Sequence, residues 1–160
     1  MRRRKRVVDM HRVGLPHAKV EHVTGKFLFV MNTGLVIEVV GAIIKDGGKY
    51  LVGQRAAHKT QGGLWEFMGG KIEPGETPEE ALARECREEL ALEIEGARII
   101  DSVIHEYPEK TIRLTLLECC PKAGSVPQAL EHQAIRWVTQ EEMRTMPFCP
   151  ADAELISKTI

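Results

Sequence analysis

The chain has 160 residues, 43% of them apolar and 28% charged, with a net charge of −1; it is long enough for one domain with a proper core, and the molecule as a whole lacks the charge excess that a polyanionic or polycationic partner requires. No apolar stretch approaches the roughly 20 residues of a membrane span. The cysteines (Cys86, Cys119, Cys120 and Cys149) form no C-x-x-C pair and stand at no zinc-finger spacing from a histidine, so reduced, mostly buried thiols in a cytoplasmic protein are expected.

Residues 1–34 mix Arg, His, Gly and Pro without a clear period. Residues 1–30 hold eight Lys/Arg against two Asp/Glu, which leaves about −7 on the rest of the chain. They are expected to be a flexible basic extension outside a domain spanning 35–160. RRRKR (2–6) is followed by no hydrophobic segment of the kind a secretory signal needs. Contact with nucleic acid or an anionic surface, or a transit role, are open readings of the arm. Met31, five residues before the first strand of the domain, reads as an alternative start, and the preferred reading is an extension without function.

LVIEVVGAIIK (35–45) is a continuous β-branched run and predicts a buried strand. DGGK (46–49) predicts a hairpin turn, YLVGQR (50–55) the returning strand, and AAHKTQGG a loop. LWEFMGGKIEPGE (64–76) reads as short strand pieces broken by glycines and a proline, with Trp65 and Phe67 on one side. Thr77 and Glu80 form a capping box with Pro78 as the first helical residue, and the predicted helix runs to about Leu90. Two strands follow at 93–107 and 110–120, then a loop, a strand at 134–139, a short helix from Thr139 and a last helix over 150–160. Mixed strands with a few helices predict a single α/β (α+β) sandwich around a mixed sheet.

The helix at 78–90 carries the chemistry. Glu85, Glu88 and Glu89 fall at i, i+3 and i+4 and share a face, while Leu82, Cys86 and Leu90 make the stripe that packs on a sheet. A solvated face laced with salt bridges is the ordinary reading of a glutamate-rich helix, and Arg84 can pair with Glu80 or Glu88. Clustered like charges oppose helix formation, however, and their complement is a hard divalent cation with oxygen ligands. Ahead of the helix, Gly69, Gly70 and Gly75 supply a backbone able to approach phosphates closely, with Lys71 as a cation beside them.

Residues 70–92, GKIEPGETPEEALARECREELAL, resemble the Nudix box, G-x5-E-x7-R-E-U-x-E-E-x-G-U with U aliphatic. Gly70, Glu76, Arg84, Glu85, Glu88, Glu89 and Leu92 match. Cys86 stands at an aliphatic position. Ala91 replaces the last glycine, which would serve as a left-handed helix terminator. The likeness extends over about 36–158 and is nearest to the MutT branch: LWEFMGGKIEPGET resembles its W/L-E-F-P-G-G-K segment, with Met68 for the proline, and QRAA, IRWVT and PFCPAD are similar too.

The resemblance implies a Nudix-type α/β/α sandwich and hydrolysis of a nucleoside diphosphate linked to another group. It implies that the Gly69 carbonyl and Glu85, Glu88 and Glu89 bind Mg²⁺ or Mn²⁺, with Arg84 orienting the cluster, Glu76 holding Arg84, and Lys71 neutralising the leaving group. Glu131 matches a further carboxylate that binds metal or acts as base; an exposed loop glutamate is the alternative. Glu85 or Glu88 is the expected general base. Arg55, Glu66, Phe67 and Asp152 fall on nucleotide-contacting positions, although Phe67 also suits plain core packing and Asp152 the first turn of the last helix. Lys110 receives no role.

The implied activity is conversion of a (deoxy)nucleoside triphosphate to the monophosphate and pyrophosphate, sanitising the nucleotide pool in the manner of an 8-oxo-dGTP diphosphatase, with (d)CTP or another nucleotide as the alternative. A non-catalytic nucleotide-binding module is disfavoured, because every box glutamate is kept. A small-molecule nucleotide is the expected partner, with neither membrane nor nucleic acid, for a monomer or homodimer.

Overall fold

The structure, a computed structural model, describes the strands at 18–23 and 26–31 and everything from Leu35 to Ile160, with side chains from Leu35 onward. The basic run at 2–6 lies outside the described residues. The chain divides between Leu35 and Val36 into two units.

In the first unit, β1 (Ala18–Val23) and β2 (Lys26–Met31) pair antiparallel, from Ala18↔Met31 to Val23↔Lys26. The sequence reading placed no element here. AKVEHV and KFLFVM are nonetheless runs of valine and aromatic residues on either side of a Thr-Gly pair, which is hairpin chemistry. The Arg, His and Pro ahead of them hid the pattern, and Met31, the alternative start, closes β2.

The second unit is built on β3 (Val36–Asp46), which turns at Gly47-Gly48 into β4 (Lys49–Gln54). The remaining elements are β5 (Trp65–Glu66), α1 (Pro78–Leu90), β6 (Ile94–Glu106), β7 (Thr111–Pro121), β8 (Ala134–Val138), α2 (Gln140–Thr145) and α3 (Pro150–Thr159). Strand order is β5-β4-β3-β7-β6, with β8 on β4. The sheet is mixed: β3 and β7 run parallel from Val36↔Thr111 to Ile44↔Cys119, and the other pairs are antiparallel.

One departure from a regular sheet positions the site. β4 pairs with β3 only at Lys45↔Tyr50 and Asp46↔Lys49 and then turns away to β5 and β8. Residues 68–72 take up the edge of β3 that it vacates. The Ala42 N–H donates to Met68 O at 2.7 Å, Val40 N–H to Gly70 O at 2.9 Å, and Ile72 N–H to Glu38 O at 3.0 Å. The glycine segment is thereby fixed to the central strand rather than left as a loose loop.

Alternation along β3 and β7 divides the core between the two faces. Val40, Ala42, Ile44, Leu117 and Cys119 pack against Leu82, Cys86 and Leu90 of α1. Ile43, Ile112, Leu114 and Leu116 pack on the other face with Met143 of α2 and Leu155 and Ile156 of α3. The result is the expected three-layer α/β/α arrangement. Cys86, Cys119 and Cys149 are buried free thiols and Cys120 is exposed, and no helix among the described residues is long and apolar enough to cross a membrane.

Both ends of α1 follow local chemistry. Thr77 and Glu80 close the capping box reciprocally, with Pro78 at the start. At the other end Ala91 is left-handed, φ 51° and ψ 30°; its N–H reaches Arg87 O at 3.0 Å, and the next N–H, of Leu92, reaches Cys86 O at 3.1 Å. A Cβ in this conformation costs roughly 1–2 kcal/mol, partly offset by the greater unfolded-state freedom of glycine. Ala91→Gly should therefore raise stability by about 0.5–1 kcal/mol, read as a few degrees in Tm by calorimetry; a lower Tm would contradict the strain argument.

Candidate active site

The exposed face of α1 is organised by one arginine. Arg84 grips Glu76 with both ends of its fork, Nε to Oε1 at 2.8 Å and Nη2 to Oε2 at 2.9 Å. Its Nη1 donates to Glu85 Oε1 at 2.7 Å and to Glu88 Oε2 at 3.3 Å. Nη2 also donates to the main-chain carbonyl of Lys71 at 2.9 Å, so the same side chain pins the helix to the glycine segment. The Arg84 guanidinium holds the Glu76 carboxyl down at about 2. This planar, bidentate arrangement is one a lysine cannot reproduce, and it answers the like-charge repulsion that the spacing of the glutamates creates.

The second wall is the segment 69–71. Because Met68 and Gly70 take the bonds to β3, the N–H and carbonyl of Gly69 face away from that strand, as in any extended segment. The Gly69 N–H donates to Glu89 Oε2 at 3.1 Å. Gly69 has φ 154°, and a Cβ there would lie 2.0 Å from Val40 O. At Gly70 a Cβ would lie 2.3 Å from Glu85 Oε1. Gly70 is thus the condition for Glu85 to close on the backbone, and Gly69 the condition for the segment to lie against Val40. Glu89 is buried, and loss of solvent pushes its carboxyl up to about 7. Glu85 keeps 14% of its side chain exposed and Glu88 57%.

These donors fit a hard divalent cation. They are all oxygens, two carboxylates lie against a glycine backbone that would not admit a side chain, and the third is open to water, as suits an ion that keeps several waters. Among the described residues no three His, Cys, Asp or Glu side chains are drawn together at ligand spacing. Arg84 instead spaces Glu85 and Glu88 around its own guanidinium.

Beside this face lies a cleft of about 300 Å³ whose lining includes Arg55, Glu66, Phe67, Gly69, Gly70, Lys71 and Asp152. All four sequence-predicted nucleotide residues therefore share one cavity with the glycine segment. Arg55 Nη1 donates to Glu66 Oε2 at 2.6 Å. Phe67 is core and cleft wall at once, tilted against Phe148 with ring centroids 5.9 Å apart, while Trp65 on the same side packs in the core. Asp152 sits in the first turn of α3 and also faces the cleft, so its two readings coexist. Its Oδ1 accepts the Phe67 N–H at 3.0 Å, and burial pushes its carboxyl up to about 7.

The raised carboxyl of Asp152 sets the sign of a pH effect. A folded value near 7 against an unfolded value of 3.8 means that the native state binds the extra proton between those limits. The associated stability is full below about pH 4 and is lost as pH rises through 7. Asp152→Asn keeps the acceptor for Phe67 and removes the titration. Its stability should fall less than wild type between pH 5 and 8, by on the order of a few kcal/mol, in urea titrations at each pH; parallel profiles would contradict it.

Glu131 is placed differently from the box carboxylates. Its Oε2 accepts from Lys59 Nζ at 2.9 Å, and half of its side chain is exposed. Its neighbour His132, which the sequence reading passed over, is the buried one, with Nε2 3.1 Å from Glu66 Oε1. A lone histidine in a polar loop carries no periodic signal; only the pairing of that loop with β4 buries it. Tyr107 and Lys110, at the turn between β6 and β7, also line the cleft, and Lys110 Nζ lies 5.8 Å from the Tyr107 ring centroid.

A NUDIX domain model matches residues 39–158. A CTP pyrophosphohydrolase of Escherichia coli K12 is 44% identical over 76% of this chain and 89% of its own length. An 8-oxo-dGTP diphosphatase of Haemophilus influenzae is 33% identical over 78% of this chain and 92% of its own. Among solved structures, the MutT protein of methicillin-resistant Staphylococcus aureus 252, described as a Nudix hydrolase, superposes with a TM-score of 0.64 at 36% identity, covering 79% of this chain and 96% of that one. The capped acidic helix, the glycine segment beside it and this breadth of likeness have one explanation: the chain belongs to the NUDIX domain family, as a MutT-like hydrolase.

Proposed function

We propose that the chain hydrolyses a nucleoside triphosphate to the monophosphate and pyrophosphate with Mg²⁺ or Mn²⁺. The observation that carries this reading is the meeting, at Gly69–Gly70, of the acidic face of α1 with a cleft that holds a buried carboxyl, Asp152. A triphosphate presents about four negative charges that must be neutralised before water attacks phosphorus. Glu85, Glu88, Glu89 and the Gly69 carbonyl would hold the divalent cation, which would supply that neutralisation. Lys71, exposed at the cleft edge, adds a cation for the departing pyrophosphate. Arg84 keeps Glu85 and Glu88 apart, and Glu88, the more exposed of the two, takes the proton of the attacking water. Glu131, tied to Lys59, is left as an auxiliary carboxylate.

For the base, the 44% likeness to a CTP pyrophosphohydrolase against 33% to an 8-oxo-dGTP diphosphatase favours a cytosine nucleotide. A neutral Asp152 carboxyl offers an O–H donor beside an acceptor, which complements the N3 and N4–H₂ edge of cytosine. The same pair also matches the O6 and N7–H edge of 8-oxoguanine, which supports the oxidised-nucleotide reading. Pyrophosphate release should be assayed over CTP, dCTP, 5-methyl-dCTP, dGTP and 8-oxo-dGTP with Mg²⁺ and with Mn²⁺. Cytosine nucleotides are expected to lead. Release of phosphate with a nucleoside diphosphate would move the attack to another phosphorus and overturn the reaction, while preference for 8-oxo-dGTP would overturn the choice of base.

A further inference from the structure

One buried polar group takes no part in the mechanism above. The His132 side chain is only 4% exposed, lies in a loop without regular structure, and is held from three directions. The Leu130 N–H donates to Glu89 O at 3.0 Å, and the Gln133 N–H donates to Gln54 O at 3.0 Å. The loop therefore spans from the end of α1 to the last residue of β4, next to Arg55. Between these anchors the imidazole lies against Gly53 of β4, where a Cβ would come within 2.6 Å of Cδ2 and 2.8 Å of Cγ. The ring is thereby seated against the strand, in the orientation its hydrogen bond selects.

That orientation brings Nε2 to 3.1 Å from Glu66 Oε1. The other oxygen of Glu66 accepts from Arg55 at 2.6 Å. A carboxylate only accepts, so Nε2 carries the proton of this bond. Nδ1 is buried with no hydrogen-bond partner among the described residues, where a bare lone pair is the less costly state than an orphaned N–H. Glu66 is thereby clamped at both oxygens, by Arg55 on the cleft side and by His132 on the core side. Without His132, one oxygen of Glu66 is left unheld, and the Arg55–Glu66 pair loses its brace from the core side.

We infer that His132 is a positioning residue for nucleotide selection: by donating to Glu66 it fixes the Arg55–Glu66 pair that walls the base cleft, and it acts on substrate affinity rather than on the chemical step. This deepens the proposed function and rests on it for the kinetic readout alone. His132→Gln places an amide N–H near the position of Nε2, whereas His132→Asn falls short of Glu66. H132N is expected to raise KM for the preferred triphosphate about tenfold, the scale of one charge-assisted hydrogen bond, with kcat within about threefold. H132Q is expected to restore KM to within about twofold. In an E66A background, where neither clamp bond exists, H132N should add nothing. A fall in kcat at unchanged KM, or equal losses in H132N and H132Q, would overturn the inference.

A second arm needs no turnover. Nitrogen-15 NMR of the free protein should show His132 as the Nε2–H tautomer, its Nε2 resonance moving in E66Q; an Nδ1–H tautomer in the wild type would overturn the inference. A wild type that hydrolyses no triphosphate but shows the Nε2–H tautomer would sink the proposed function and leave this clamp standing.

Discussion

Glu88→Gln should lower kcat by on the order of 10³-fold, within the usual range for loss of a general base, and leave the fold intact. The reason lies in where Glu88 sits. More than half of its side chain is exposed, and its ion pair to Arg84, at 3.3 Å, is the longest that arginine makes among the described residues. A glutamine there retains a hydrogen-bond acceptor for Arg84, so stability changes little, as for most surface substitutions. It loses the basicity, and one negative charge that a divalent cation would meet. The measurement is steady-state kinetics with saturating Mg²⁺, beside thermal unfolding. Turnover within tenfold of wild type would remove Glu88 as the base and shift the role to Glu85. A collapse of Tm would mean that the residue is structural.

The largest effects on the glycine segment should separate function from fold at adjacent positions. Gly70→Ala places a methyl 2.3 Å from Glu85 Oε1 and 2.7 Å from Oε2. The obstacle is the far end of a flexible side chain, so the carboxylate moves aside. It gives up its 2.7 Å bond from Arg84 and its place beside the glycine backbone. Activity should fall by about 10²-fold or more, as when ligands of a preorganised site are displaced, for a stability loss of about 1 kcal/mol. Gly69→Ala meets backbone instead: Val40 O at 2.0 Å and Val40 C at 2.8 Å, at a φ of 154°. Neither can yield without parting residues 68–72 from β3, so stability should drop by about 3 kcal/mol or more. Urea unfolding midpoints set against kcat for the two variants test the contrast. Similar stabilities would show that the segment is not fixed to β3 as described.

Much of the molecule was legible residue by residue because its signals are local. The capping box at Thr77 and Glu80, the proline at the first helical position and the glycine turn at 47–48 each act over three or four residues, and each is found where the sequence places it. The face shared by Glu85, Glu88 and Glu89 follows from helical periodicity alone. Ala91, read as an imperfect terminator, does adopt the left-handed conformation, because buried Leu92 and the start of β6 require the chain to turn there.

The remainder depends on contacts between segments far apart in the chain, and no local pattern encodes those. That residues 68–72 would replace β4 along β3 is decided by where β4 leaves to meet β8. That Arg84 would reach the Lys71 carbonyl, and Gly69 the carboxylate of Glu89, follows from that replacement. Glu131 and His132 are adjacent and equally polar; Lys59 claims one and the face of Gly53 buries the other. The amino-acid order thus specifies the helix, its caps and the kind of cation its carboxylates suit, through interactions spanning a turn or less. Which of those groups close on a cleft, and which histidine braces its wall, is set by long-range pairing, since burial and desolvation exist only once the layers have packed.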